Sequence, residues 1–79
     1  MQSAYVLISC NPEDSDQIIS TVMNISGLVE AKLVEGPYDI IVKIEADSSE
    51  KLKEIISIQL RRINKIKHTL TLTAMQDKQ

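Results

Sequence analysis

Tryptophan and phenylalanine are missing from this 79-residue chain, which holds one cysteine, one histidine, two tyrosines and two glycines. Each shortage removes a class of function. The lone thiol, Cys10, leaves no internal disulfide to form, and a single histidine, His68, with no Cys-x-x-Cys pair gives no transition-metal spacing. Glu13, Asp14 and Asp16 lack the glycine and the distant glutamate of a calcium loop. No glycine-rich loop cradles a phosphate and no nucleophile–base pair can be assembled, so neither enzymatic activity nor a cofactor is expected. No apolar run approaches the roughly 18 residues of a membrane span, and the segment Met1 to Tyr5 carries no secretory signal. A cytoplasmic protein without a membrane partner is expected. The formal charge of −2 withholds the positive field by which nucleic-acid binders displace counterions, so direct nucleic-acid binding is not expected.

What the chain does have is β-branched apolar residues in strand-length blocks. Hydrophobic residues make up 43% and charged ones 25%, a soluble globular composition. The length allows one small domain over residues 1–79, which buries only about 60% of its unfolded surface. Ala4 to Cys10 is a continuous apolar run that ends at Asn11-Pro12, a helix cap followed by proline at the first helical position. Glu13, Asp14 and Asp16 favour the start of that helix, Ile18, Ile19, Val22, Met23 and Ile25 share one broad face, and Gly27 ends it. Leu28 to Glu35 alternates as a half-buried strand, and Tyr38 to Ala46 follows the Gly36-Pro37 turn. Asp47-Ser48-Ser49-Glu50 forms a capping box before a second helix striped by Leu52, Ile55, Ile56, Leu60 and Ile63 and ending near Arg62. The last strand, Lys67 to Gln76, alternates again, with Leu70, Leu72 and Ala74 toward the core.

The order βαββαβ, with right-handed crossovers, predicts an α+β ferredoxin-like sandwich: a four-stranded antiparallel sheet with both helices on one face. A two-residue loop pairing Glu35 with Tyr38 places Leu33 opposite Ile40, Ala31 opposite Val42, Val29 opposite Ile44, and Glu30 against Lys43 on the reverse face. That reverse face collects Tyr5, Leu7, Ile41 and Met75 beside Thr69, Thr71, Thr73, Lys43 and Glu30. So short a chain has no second helical layer to cover it. Another subunit is expected there, sheet against sheet.

The stretch Glu35-Gly36-Pro37-Tyr38-Asp39-Ile40-Ile41-Val42, followed by a helix and by Thr69-Leu70-Thr71-Leu72-Thr73, resembles the effector domain of the Lrp/AsnC feast/famine regulators from Ser3 to Met75. The resemblance implies a stand-alone effector domain without the helix-turn-helix of the full regulators. It implies dimers joined through the sheets and assembled into octamers or decamers, and free amino acids bound between dimers near the Gly-x-Tyr-Asp turn. The transferable ligand positions are Gly36, Tyr38 and Asp39, with Thr69 and Thr71 on the last strand. A full-length Lrp/AsnC regulator is the implied partner. An ACT-like small-molecule-binding module, or a structural assembly factor, is the alternative.

Each of these residues also has a plain structural use. Gly36 suits a primed hairpin turn, and Tyr38 can pack on a helix or a subunit. Asp39 opens a strand, where aspartate is disfavoured, so either a turn hydrogen bond or a ligand's ammonium must compensate it. The threonines are explained by β-propensity, and the cluster Arg61, Arg62, Lys65, Lys67 and His68 by the helix C-terminus it surrounds. Cys10 has no neighbour to generate a thiolate and reads as an inert core residue.

Overall fold

A computed structural model describes residues 1–73 of the chain. Strand β1 (Gln2–Cys10) leads through a 3₁₀ turn, Pro12–Asp14, into α1 (Ser15–Val22). Strands β2 (Leu28–Leu33) and β3 (Ile40–Ala46) follow, then α2 (Ser49–Glu54), which continues as a π-helical turn, Ile55–Gln59, and a 3₁₀ turn, Leu60–Arg62. Strand β4 (Ile66–Thr73) ends the described chain. The sheet is antiparallel with order β2-β3-β1-β4, the ferredoxin-like arrangement expected.

The core lies between this sheet and the helices. Val6, Ile8, Ile40, Val42 and Ile44 from the two central strands meet Ile18 and Val22 of α1, all fully buried, with Leu52, Ile55 and Leu60 from the second helical segment. The helices do not cover the sheet evenly. α1 packs on β2, and α2 on β1 and β3, so the helix-side face of β4 is left beside α2 rather than under it.

The helix ends differ from expectation by small shifts. Asn11 makes no side-chain cap; its carbonyl accepts from the Asp14 N–H at 2.9 Å, and the Ser15 hydroxyl donates to the Pro12 carbonyl at 2.8 Å. α1 ends at Val22 with Met23 as its C-cap, still donating its N–H to the Ile19 carbonyl at 3.0 Å, and the Met23 side chain, expected on the buried face, stands exposed. Gly27 then turns the chain at φ +96°, with an added Cβ only 2.8 Å from the Glu45 carbonyl oxygen, a closeness that excludes any side chain. The cap of α2 is Ser48, whose hydroxyl accepts from the Lys51 N–H at 3.1 Å. Lys51 rather than Glu50 is therefore the third helical residue, and the reciprocal half of a capping box does not form.

Two irregularities set the faces of the edge strands. In β2 the pairs Leu33–Ile40, Ala31–Val42 and Glu30–Lys43 form as expected, but Ile44 faces Leu28, leaving Val29 as an extra, exposed residue. In β4, Ile66 faces Cys10 and His68 faces Ser9, so Lys67 is the extra residue. One inserted residue reverses every later side chain. Thr69, Thr71 and Thr73 consequently share the helix side with Ile8, Val6 and Ala4, while Leu70 and Leu72 stand on the reverse face beside Leu7 and Tyr5. This corrects the expectation that the leucines point to the core and the threonines away from it. Met75 and Ala74, the other members of that expectation, lie outside the described residues.

Candidate effector site and open sheet face

The β2–β3 turn is closed one step earlier than a two-residue loop would close it. The Val34 N–H donates to the Asp39 carbonyl at 2.9 Å, and Glu35 and Tyr38 remain unpaired within the bend. Gly36 sits at φ +127° with no atom within 4 Å of an added Cβ, so conformation rather than space calls for glycine there. Tyr38 is half-buried. Asp39 is held at both ends. Its N–H donates to the Ile8 carbonyl at 2.8 Å, and its Oδ2 accepts from the Cys10 N–H at 3.0 Å. A protein hydrogen bond therefore compensates the aspartate at the mouth of β3. Among the described residues Oδ1 has no such partner.

Thr69 pairs with Ile8 from the opposite side of β1. The Gly36–Asp39 turn and Thr69 thus reach the same end of the sheet, but β1 runs between them, and two strand spacings separate its neighbours by about 9–10 Å. Thr71 lies further along, facing a groove against Ile56 and Ser57 of the second helical segment.

The reverse face is an open apolar surface. Leu70 is 43% exposed, Leu72 49% and Tyr5 37%, with half-buried Leu7 and Ile41 between them. Leu7 pairs with Ile41 on one side and Leu70 on the other, and Tyr5 with Lys43 and Leu72, so these side chains make one continuous patch. Lys43 stands 5.8 Å from the Tyr5 ring centroid. The Glu30–Lys43 register pair is present, but the short contacts run along the strands instead, Lys32 to Glu30 at 3.0 Å and Lys43 to Glu45 at 3.8 Å. Leu70 and Leu72 are the members of this face that sequence reasoning assigned elsewhere. The signal that could have found them is the fall-off of helix cover over an edge strand.

In the basic cluster, the Lys65 ammonium lies 3.5 Å from Asp14 Oδ1 and donates to Gln17 Oε1 at 3.1 Å. Cys10 is buried, and its thiol is pushed above its ordinary value of 9.0 by burial first, then by the Asp39 and Asp14 carboxylates, with Lys67 opposing. At neutral pH it is a protonated packing group. No cluster of His, Cys, Asp or Glu among the described residues could hold a metal ion, and no helix among them is long and apolar enough to cross a membrane.

Comparison with known proteins places this geometry. The Lrp/AsnC ligand binding domain profile matches residues 3–79. An uncharacterized HTH-type transcriptional regulator of Pyrococcus horikoshii is 27% identical over 75 residues, 91% of this chain and 50% of that protein. The chain thus spans about half the length of the curated relatives it matches. A hypothetical protein from Pyrococcus horikoshii is 27% identical with a TM-score of 0.89, covering 98% of this chain and 93% of that one. A transcriptional regulator from Neisseria meningitidis, solved as an L-Met complex, is 8% identical and shares the fold alone, with a TM-score of 0.82 over 99% of this chain and 52% of its own. With its fold and a family match running nearly end to end, the chain belongs to the Lrp/AsnC ligand-binding domain family.

Proposed function

We propose that this chain is an amino-acid-sensing, oligomeric regulatory protein that binds small effector amino acids at its subunit junctions and modulates transcription through a partner regulator of the full Lrp/AsnC type. The observation that carries the reading is the open patch of Tyr5, Leu7, Ile41, Leu70 and Leu72, beside a glycine turn whose aspartate keeps one carboxylate oxygen uncommitted among the described residues. An apolar sheet face of this kind is covered in a stable protein, and a second copy offers the matching surface. The turn supplies backbone N–H groups for a carboxylate and Asp39 Oδ1 for an ammonium, the two charges every amino acid carries. The family's description as a ligand binding domain, and the L-Met held by a regulator of the same fold, support that ligand class.

On this reading the chain acts by binding rather than turnover, and in the cytoplasm. Its own charge of −2 argues against direct DNA contact, and the purified chain should give no sequence-selective gel shift at physiological salt; a tight, selective shift would remove the need for a partner. Sedimentation velocity at micromolar concentration tests the assembly. A dimer or larger ring supports the reading, and a stable monomer removes it.

A further inference from the structure

The groove between α1 and the C-terminal end of the second helical segment carries chemistry that neither the turn nor the open sheet face uses. Its volume is about 410 Å³, within the roughly 300–1,000 Å³ of small-molecule sites. Ile18, 1% exposed, forms its floor with half-buried Ile25 and Ile63. The rim carries carboxamides, the Thr21 hydroxyl and two cations, Arg62 and Lys65, and no carboxylate lines it. Lys65 already donates to Gln17 Oε1 at 3.1 Å, which leaves the Gln17 NH₂ group as a donor. Arg62 makes no ion pair among the described residues.

We infer that this groove is a second small-molecule site, and that it takes an apolar-tailed carboxylate without an ammonium group, of the 2-oxo acid class. The Arg62 guanidinium offers a carboxylate two parallel N–H donors, and the isoleucine floor accepts a branched tail. The Gln17 amide supplies a donor for the oxo oxygen. An amino acid fits less well here, because no carboxylate lines the groove to pair with its ammonium, and two cations do; Asp14 stands 3.5 Å from the Lys65 ammonium instead. The two sites therefore sort ligands by charge: Asp39 offers a carboxylate to an ammonium in one, and Arg62 and Lys65 offer cations, with no carboxylate, in the other. A single small domain would then weigh an amino acid against its deaminated counterpart.

Calorimetry with 4-methyl-2-oxopentanoate, leucine and 4-methylpentanamide tests this on the assembled chain. The oxo acid should bind saturably, the neutral amide should not, and Arg62→Gln should weaken oxo-acid affinity by about tenfold. Asp39→Asn should leave oxo-acid binding unchanged, which separates this site from the one proposed at the turn. Lys51→Gln removes the same charge outside the groove and should change nothing. The inference is overturned if the amide binds as tightly as the acid, a comparison that needs no variant. It is also overturned if the oxo acid gives no saturable heat, or if a folded Arg62→Gln protein binds it as tightly as the parent.

Discussion

Asp39 Oδ2 accepts a hydrogen bond from the Cys10 backbone N–H at 3.0 Å, fastening the turn before β3 to the end of β1. The same side chain thus has a structural task on one oxygen while the other is open to a ligand. Two substitutions separate these roles. Asp39→Asn keeps an acceptor for Cys10 but removes the charge, whereas Asp39→Ala removes both. The alanine variant should lose about 1–2 kcal/mol of stability in urea titration and ten- to a hundredfold in amino-acid affinity. The asparagine variant should keep nearly all its stability and still lose roughly tenfold in affinity. Parent-like binding by Asp39→Asn would show that the ammonium is held elsewhere.

The reverse-face patch makes a sharper prediction than assembly alone, because the phase of β4 decides which residues matter. Leu7→Asp, Ile41→Asp and Leu72→Asp each place a charge where the account puts a subunit junction, and each should reduce the sedimenting mass toward monomer. Thr71→Asp lies on the helix side and should leave the face-to-face dimer intact. Dissociation by Thr71→Asp together with a parent-like Leu72→Asp would reverse the assignment of faces.

Cys10 gives a pH dependence whose sign is fixed. Its folded thiol titrates above the ordinary value of 9.0, mainly because burial disfavours the thiolate. Below that value the thiol is protonated in both folded and unfolded chains, and its contribution to stability is fully present. Above it the unfolded thiol ionises first, so stability falls as pH rises toward the folded pKa. Between pH 8 and pH 10.5 the urea midpoint should therefore drop further for the parent than for Cys10→Ala. Equal drops would mean that the buried thiol ionises freely.

The element order, the Leu33–Ile40 register and the location of the core were readable because they follow from periodicity, and α1, α2 and the central strands obey it. What could not be read were the single extra residues. Strict alternation in Thr69 to Thr73 fixes two faces without saying which is which, and hydrophobicity alone turns the leucines inward. The Lys67 bulge and the thin helix cover over β4 send them outward instead; the bulge leaves no mark in a single sequence, and the cover could be inferred only from the edge position of the strand. Val29 departs from its expected partner for the same reason. At the candidate site Gly36 announced its turn, but the Asp39–Cys10 bond joins residues 29 apart and depends on how β3 lies against β1.

The central claim, that this fold senses amino acids, is tested most directly by titrating each of the twenty amino acids into the assembled chain and following heat and melting temperature together. At least one should bind saturably, raise the melting temperature as mass action requires, and lose affinity in Asp39→Asn. If all twenty leave both readouts unchanged while the protein remains folded and assembled, the chain is not an amino-acid sensor.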